Sequence, residues 1–249
     1  MIRPESLAGA RAAFFTRAGG SSEGMFAALN CGLGSGDDPA RVAANRAAAM
    51  RALGARPEAL VTAYQVHGTD VAVVEGPRDD RPKVDAFVSR TPGVALGILT
   101  ADCAPVLFAD PEAGVIGACH AGWRGAKAGV TDATIAAMTA LGAKQERIRA
   151  AVGPCIGPDS YEVGPEFVAG FIADDAANAQ FFRPGRRGDR SQFDLPGYVA
   201  ARLLAANLGS VENAGGDTCA DEARFFSYRR ATLRGERDYG RLLSAIALA

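Results

Sequence analysis

The segment "TADCAPVLFADPEAGVIGACHAGWRG", residues 100–125, contains two apolar runs joined by a short turn motif. Within "DPEAG", Pro111 fixes φ and Gly114 tolerates positive φ, so the motif predicts a hairpin turn between two buried strands. Antiparallel strands joined by such a turn bring their far ends together. We therefore expect Cys103, before the first strand, to lie within a few ångströms of His120, at the end of the second.

The flanking sequence predicts a mixture of strands and helices. The apolar runs "VDAFVS" (84–89) and "GVALGILT" (93–100) are typical of buried strands. The segment "DDPARVAANRAAAMRALG" (37–54) is typical of a helix, with Asp38 as its N-cap and Gly54 after its last turn. Strands interleaved with single helices favour an α/β or α+β chain with mixed sheets, and we expect one domain over all 249 residues because no polar linker divides them. Further helices are predicted from Gly122 to Gly142, at 164–173 and from Asp194 onward.

The composition indicates a soluble, enzyme-sized protein of the cytoplasm. Apolar residues make up 48% and charged residues 22% of the chain, which suffices for a substantial core. The net charge is −1 and the pI about 6.2, so no positive field supports sequence-independent nucleic-acid binding. Five cysteines without a C-x-x-C motif are not typical of a disulfide framework. The N-terminus lacks a signal-peptide pattern and no run reaches the roughly 18 apolar residues of a membrane span, so we expect no membrane partner.

The chain has two histidines, His67 and His120, which together with Cys103 form a candidate metal site. Two imidazole nitrogens and one thiolate sulfur suit zinc, which takes both ligand types in a tetrahedron. Three protein ligands leave the fourth position open for water or substrate, as in catalytic zinc sites. The spacing alone is also compatible with two ordinary turn histidines and a buried cysteine. Cys119 adjoins His120 on the same strand and is expected to point into the core instead.

Residues 120–129, "HAGWRGAKAG", lead from the hairpin into a helix. Small residues before a helix N-terminus expose backbone N–H groups, and Arg124 adds a positive charge, so this turn is a candidate site for an anion. The segment lacks the G-x-x-x-x-G-K-[ST] pattern, which gives nucleotide triphosphate hydrolysis no support. A close-packed turn between strand and helix explains the same glycines.

Six segments of the sequence resemble, in order and over nearly the whole chain, the bacterial YfiH-like family. That family was labelled polyphenol oxidase or laccase-domain and is now described as purine nucleoside phosphorylase with adenosine deaminase activity. The six segments are "FFTRAGGSSEGMFAALNCGLGSGDDPARVAANR" (14–46), "YQVHGTDV" (64–71), "TADCAPVLFAD" (100–110), "ACHAGWRGAKAGV" (118–130), "VGPCIGPDSYEVG" (152–164) and "FFSYRR" (225–230).

The resemblance implies an α+β fold arranged as an α/β/β/α sandwich with mixed sheets. It implies one zinc ion per chain bound by His67, Cys103 and His120, which would also be the catalytic residues. The implied substrates are phosphate and the purine nucleosides adenosine, inosine, guanosine and S-methyl-5′-thioadenosine. Copper at the same residues would be adventitious. We expect a cytoplasmic monomer without nucleic-acid partners.

A phosphorylase must hold an anion and stabilise the departing base, so further polar residues are needed. The candidates for substrate binding are Arg17, Arg46, Arg124 and Arg229 for the anion and Asn30 for the nucleoside. Each of these side chains is equally compatible with a structural role.

Other protein classes remain open from the sequence. A cysteine hydrolase would use Cys103 as the nucleophile and a histidine as the base. The resemblance to the family implies cell-wall peptidoglycan precursors as the substrates of such a hydrolase. A copper polyphenol oxidase needs more imidazole ligands than two histidines supply. A non-enzymatic protein with a structural zinc ion would need a fourth protein ligand. For deamination, Asp102 is a candidate proton carrier, although alternation along a strand would turn it away from the metal.

Overall fold

Two mixed β-sheets pack face to face, and helices cover the outer face of each sheet. The computed structural model describes residues 1–78 and 80–249. The strands are β1 (Ala10–Phe14), β2 (Leu60–Thr62), β3 (Val71–Val73), β4 (Ala86–Ser89), β5 (Ala95–Thr100), β6 (Ala104–Asp110), β7 (Val115–Ala121), β8 (Arg149–Val152), β9 (Glu162–Val163), β10 (Phe182–Pro184), β11 (Ser191–Phe193), β12 (Ser210–Asn213) and β13 (Leu242–Leu248). The α-helices are α1 (Pro39–Leu53), α2 (Trp123–Ala128), α3 (Val130–Ala140), α4 (Pro165–Asp174), α5 (Leu195–Ala205) and α6 (Tyr228–Arg234). None of these described helices has the length and apolar character needed to cross a bilayer.

The hairpin of β6 and β7 lies at the centre of a six-stranded sheet with the order β12-β8-β6-β7-β4-β3. Its central pairs are antiparallel, whereas the outer pairs β12 with β8 and β3 with β4 are parallel. The second sheet has the order β1-β13-β5-β2, and only its β2 and β5 run parallel. A smaller sheet has the order β10-β11-β9.

Alternating side chains of the strands contribute to three apolar layers. Leu96 of β5 and Leu107 of β6 lie between the two large sheets. Phe108 points to the other face of β6 and packs in a cluster with Met138 of α3. Met50 of α1 belongs to the cluster on the outer face of the four-stranded sheet. This layering confirms the predicted α/β/β/α sandwich with mixed sheets.

The predicted hairpin and the first predicted helix are confirmed. β6 ends at Asp110, Gly114 adopts φ +61° in the turn, and Pro105 pairs with His120 across the ladder. α1 begins directly after Asp38, whose carboxylate accepts a hydrogen bond from a backbone N–H of the first turn, and it ends at a left-handed glycine. Local capping and turn chemistry therefore determine both elements.

The single helix predicted from Gly122 to Gly142 is wrong, because two helices occupy this segment. Gly129 adopts φ +97° and ends α2, and α3 begins at the next residue. Glycine takes this left-handed conformation without a Cβ penalty and has low helix propensity, so it breaks the helix here.

Candidate metal centre

The three predicted metal ligands come together beside the open end of the central hairpin. His67 lies in the loop between β2 and β3, Cys103 directly precedes β6, and His120 is in β7. Their ligand atoms all lie within 4.8 Å of one another, and Cys103 Sγ is 3.9 Å from His67 Nε2. The predicted proximity of Cys103 and His120 is confirmed, and the three side chains form a group that could hold a metal ion. This group is called the ligand group below.

A buried carboxylate, that of Asp85, fixes both histidines. Asp85 Oδ1 accepts hydrogen bonds from His120 Nδ1 at 2.8 Å and from the His67 backbone N–H at 2.9 Å. Asp85 Oδ2 accepts hydrogen bonds from the backbone N–H groups of Val66 and Gly68 at 3.1 and 2.7 Å. One carboxylate thus holds the His67 loop and orients the His120 ring, which leaves His120 Nε2 as the ligand atom.

The backbone at His67 depends on these hydrogen bonds. His67 adopts φ +63°, a conformation that is uncommon for residues other than glycine and costs free energy. The three backbone N–H bonds to Asp85 offset that cost by anchoring the loop on both sides of the histidine. The imidazole of His67 is therefore presented to the other two ligands by a fixed loop.

Charges within the ligand group favour a thiolate beside an imidazolium. Burial raises the pKa of the Cys103 thiol, but the charge of His120 and hydrogen bonds from both imidazoles outweigh burial and lower the pKa to about 6. Burial lowers the pKa of His120, whereas Cys103 and the carboxylate of Asp85 raise it to about 9. Cysteine binds metal ions as the thiolate, so Cys103 is held in its ligand form. Metal binding would release the His120 proton.

The donor set fits a zinc ion. Zinc bonds of about 2.0 Å to nitrogen and 2.3 Å to sulfur place the two donors of a tetrahedron about 3.5 Å apart. The Cys103 Sγ to His67 Nε2 distance of 3.9 Å is close to that separation. Within residues 1–78 and 80–249, no further histidine, cysteine, aspartate or glutamate joins these three residues as a fourth ligand. A fourth position would therefore remain open, as in catalytic sites.

Two glycines leave room for the ligand group. A Cβ atom at Gly122 would lie 2.9 Å from Cys103 Sγ and 2.9 Å from His67 Cδ2. A Cβ atom at Gly125 would lie 3.1 Å from the carbonyl oxygen of Gly68. Close packing of α2 against the His67 loop and Cys103 thus accounts for Gly122 directly before α2 and for Gly125 within it.

Gly122→Ala is expected to weaken metal binding without unfolding the chain. The added methyl group must displace Cys103 or His67, which should lower metal affinity by about tenfold or more. Retention of zinc during dialysis against a competing chelator measures this effect. Gly170→Ala in α4 is the matched control, because an added Cβ meets no atom within 4 Å there. Equal zinc retention by the two variants would contradict the close packing at Gly122.

Two cavities meet at the ligand group. Cavity 1, of about 290 Å³, and cavity 2, of about 190 Å³, share His67, Ala101 and Cys103 in their walls. Polar and charged side chains that line cavity 1 are Tyr64, Gln65, Arg81, Thr100, His120, Tyr239 and Arg241. Cavity 2 is lined by the aromatic and aliphatic side chains of Trp123, Ile156, Tyr161, Leu195 and Tyr228. Its charged lining residues are Asp102, Arg124 and Arg229. The ligand group therefore lies between a polar cavity and a mainly aromatic one.

Asp102 ties the loop of Cys103 to the start of α6. Its carboxylate accepts hydrogen bonds from Thr218 Oγ1 at 2.7 Å, from Ser227 Oγ at 3.0 Å and from the Arg229 backbone N–H at 2.6 Å. Asp102 precedes β6 and adopts φ +85°, so alternation along a strand does not set its direction as the sequence suggested. These three hydrogen bonds occupy both oxygens of the Asp102 carboxylate.

The structure brings two of the five candidate substrate-binding residues to a cavity. Arg124 and Arg229 line cavity 2. The Arg124 guanidinium lies 4.6 Å from the Trp123 ring centroid, and that of Arg229 lies 5.2 Å from the Tyr161 ring centroid. Both cations are therefore held over aromatic faces at the cavity wall.

The other three candidates line neither cavity. Arg17 donates hydrogen bonds to two backbone carbonyl oxygens. The side chain of Asn30 is buried and makes four hydrogen bonds within the protein, which uses both its donors and both acceptor positions. Arg46 donates to the Cys31 carbonyl oxygen at 3.2 Å and to Thr62 Oγ1 at 3.0 Å. Contact of these three side chains with a substrate stays a prediction.

Sequence reasoning did not single out Asp85, Arg81 or Arg241. The available signal for Asp85 was a lone carboxylate at the start of the apolar run "DAFVS". The two arginines carry no local pattern that separates them from other arginines of the chain, because the fold alone places them in cavity 1.

Comparison with known proteins gives a consistent family. A family model described as "Multi-copper polyphenol oxidoreductase laccase" matches residues 11–249. A purine nucleoside phosphorylase of Deinococcus radiodurans is 46% identical over 218 residues, which cover 88% of this chain and 83% of that protein. The purine nucleoside phosphorylase YfiH of Escherichia coli K12 is 39% identical over 243 residues, which cover 96% and 94% of the two chains.

Solved structures share the whole fold. A crystal structure of a Neisseria meningitidis protein gives a TM-score of 0.88 at 32% identity and covers 99% of this chain and 97% of that chain. The crystal structure of YfiH from Bacillus licheniformis gives a TM-score of 0.87 at 28% identity, with coverage of 96% and 92%. Sequence motifs, fold and family match agree over nearly the full length. The chain therefore belongs to the family described as multi-copper polyphenol oxidoreductase laccase, the YfiH-like family that its motifs resemble.

Proposed function

We propose that this chain is a zinc-dependent purine nucleoside phosphorylase. The observation that carries the proposal is the place of His67, Cys103 and His120, whose ligand atoms meet where a polar and an aromatic cavity join. Relatives named purine nucleoside phosphorylase, at 46% and 39% identity, support it. We propose adenosine, inosine, guanosine and S-methyl-5′-thioadenosine as substrates beside phosphate. The enzyme would act as a cytoplasmic monomer.

The metal would be held by the ligand group, with its fourth position facing the cavities. When bound, zinc would supply positive charge that stabilises an anionic group near the reacting atoms. Asp85 keeps His120 oriented for this role, and the fixed loop of His67 does the same for the second imidazole. Two histidines are too few for the several copper ions that the family description names. We therefore propose one zinc ion per chain.

Cavity 2 suits the purine base. The rings of Trp123, Tyr161 and Tyr228 line it, and flat aromatic faces bind purines by stacking. Arg124 and Arg229 are held at the same wall, where their N–H groups can donate hydrogen bonds to nitrogen and oxygen acceptors of the nucleoside. Holding the base in this cavity places the ribose toward the junction with cavity 1.

We propose adenosine deamination as a slower second reaction at the same site. Deamination needs a group that carries protons to and from the purine. Among the described lining residues of both cavities, Asp102 has the one carboxylate. Its oxygens already accept three hydrogen bonds, including one from the Arg229 backbone. We therefore expect Asp102 to position Arg229 rather than to carry protons.

Product analysis with adenosine tests the proposed function. Purified protein of known zinc content is incubated with adenosine, with and without phosphate, and adenine, ribose 1-phosphate and inosine are separated by chromatography. We expect adenine and ribose 1-phosphate in equal amounts only when phosphate is present, and inosine at a lower rate in both samples. Inosine as the sole product would refute phosphorolysis. No turnover of adenosine at full zinc content would refute the proposed enzymatic activity.

The geometry favours one second candidate, a cysteine hydrolase. Asp85, His120 and Cys103 follow the order of acid, imidazole and thiol that cysteine enzymes use, with His120 Nδ1 bonded to Asp85 at 2.8 Å. Cell-wall peptidoglycan precursors would then be the substrates. A metal-bound thiolate is a weakened nucleophile, so the two functions respond oppositely to zinc. Chelation should abolish phosphorolysis, whereas it should activate a hydrolase.

A further inference from the structure

Cavity 1 has the lining of a site for a small oxyanion. Two guanidinium groups, those of Arg81 and Arg241, line it together with the hydroxyl-bearing Thr100. Its lining within the described part of the chain includes no aspartate or glutamate. Guanidinium and hydroxyl groups donate hydrogen bonds to phosphate oxygens, whereas carboxylates repel an anion. The lining therefore favours an anion over a neutral ring.

Both guanidinium groups are anchored through only part of their N–H donors. Arg81 Nη2 donates to the Ala63 carbonyl oxygen at 3.1 Å. Arg241 Nη1 donates to the Tyr239 carbonyl oxygen at 3.1 Å, and its guanidinium lies 4.4 Å from the Tyr239 ring centroid. Arg241 Nη1 also forms an ion pair with Asp238, whose nearest oxygen lies 3.7 Å away, too far for a strong hydrogen bond. Each guanidinium has five N–H donors, so both keep donors for a ligand.

A third arginine adds positive charge near cavity 1. Arg46 donates to the Cys31 carbonyl oxygen and to the Thr62 hydroxyl, both of which are neutral. Burial lowers the pKa of Arg46 below its ordinary value, and the charge of Arg81 lowers it further. Both side chains are cationic and neither hydrogen bond of Arg46 is to a carboxylate, so an anion in cavity 1 would be attracted by both charges.

We propose that cavity 1 binds inorganic phosphate through Arg81 and Arg241 while the purine nucleoside occupies cavity 2, an inference that rests on the proposed phosphorolysis. The two cavities share His67, Ala101 and Cys103. A ribose at this junction presents its C1′ atom to phosphate. One oxygen of dihydrogen phosphate forms the bond to C1′ as the bond from C1′ to the purine nitrogen breaks. The electron pair of that bond leaves with the purine, which takes up the proton of the phosphate.

Arg81→Gln and Arg241→Gln test this assignment. Binding of inorganic phosphate to the zinc-loaded protein is measured by calorimetry, and binding of adenosine by the fluorescence of Trp123, the single tryptophan of the chain. We expect each variant to weaken phosphate binding by about tenfold or more and to leave adenosine binding unchanged. Arg78→Gln is the matched control, because Arg78 lies in the same loop, is bonded to Asp80 and lines neither cavity. It should bind phosphate like the wild type.

The outcomes separate this assignment from the proposed function. Phosphate binding that is absent from the wild type, or unchanged in both variants, would overturn the assignment. Equal loss of phosphate and adenosine binding would overturn it as well, because that result indicates one mixed site. Arg81 is exposed, so its substitution should leave the fold intact. If only the proposed function fails, the wild type will bind phosphate through Arg81 and Arg241 without releasing adenine.

Discussion

Cys103→Ala is expected to abolish zinc binding and to slow phosphorolysis by roughly a thousandfold or more, with the fold retained. Removing the thiolate leaves two imidazoles, which is one ligand fewer than catalytic zinc sites use. The charge of a catalytic metal contributes several kcal/mol to transition-state stabilisation, and about 1.4 kcal/mol corresponds to a tenfold change in rate. Zinc per chain by mass spectrometry and the rate of adenine release measure the two effects.

Cys219→Ala is the matched control for this experiment. Cys219 is a partly exposed free cysteine outside the ligand group, so its removal should leave zinc content and rate unchanged. Circular dichroism and thermal unfolding report on the fold of both variants. Unfolding of Cys103→Ala would show that the metal is structural. Wild-type zinc content and rate in Cys103→Ala would contradict the ligand group itself.

Asp85→Ala should have the largest effect on stability among the residues around the site. The substitution leaves the buried His120 Nδ1 and three part-buried backbone N–H groups without their acceptor. We expect a loss of about 3–5 kcal/mol in the free energy of unfolding. Zinc affinity should fall by about 10–100-fold, because the orientation of His120 is lost. Urea unfolding with zinc chelated and a competition titration for zinc measure these two quantities.

Two further variants serve as the control and the intermediate case for Asp85→Ala. Asp70→Asn alters an exposed carboxylate in the same loop and should change the free energy of unfolding by less than about 0.5 kcal/mol. Asp85→Asn keeps one acceptor oxygen and should fall between the wild type and Asp85→Ala. Wild-type stability and zinc affinity in Asp85→Ala would contradict the anchoring role of this carboxylate.

The central hairpin and two of the ligands could be predicted because their determinants are local. Pro111 and Gly114 define the turn, and antiparallel pairing then brings Cys103 to the end of the strand that carries His120. His67 is different, because its loop is placed by tertiary hydrogen bonds, those to the Asp85 carboxylate and those between the Gln65 side chain and the Leu99 backbone. The third ligand was a candidate because His67 is the one histidine of the chain besides His120, and the resemblance to the family supports the same choice, whereas no local spacing predicts its position.

The rest of the site depends on the order of the strands in the two sheets. Arg81 and Arg241 are 160 positions apart in the sequence and line one cavity only because β13 and β5 pair beside the His67 loop. Nothing in the local sequence distinguishes Arg46 from these two residues, yet Arg46 lies outside both cavities. No periodicity in a single chain separates such arginines, because burial and neighbours are set by tertiary packing.

The break between α2 and α3 shows a second limit of the sequence. Gly122, Gly125 and Gly129 lie in one run in which the alanines favour a helix and the glycines disfavour one, so propensity does not show which glycine ends the helix. In the structure, Gly122 and Gly125 pack closely against the His67 loop, and Gly129 adopts a left-handed conformation. Only the positions of neighbouring atoms distinguish these roles.

Phosphorolysis of inosine is the decisive assay for the proposed activity, because inosine lacks the amino group that deamination removes. Protein carrying one zinc ion per chain is mixed with inosine, and hypoxanthine, ribose 1-phosphate and free ribose are followed as phosphate is titrated. We predict hypoxanthine and ribose 1-phosphate in equal amounts, at a rate that rises with phosphate and saturates. Hypoxanthine released with free ribose independently of phosphate, or no release at full zinc content, would contradict a zinc-dependent phosphorylase.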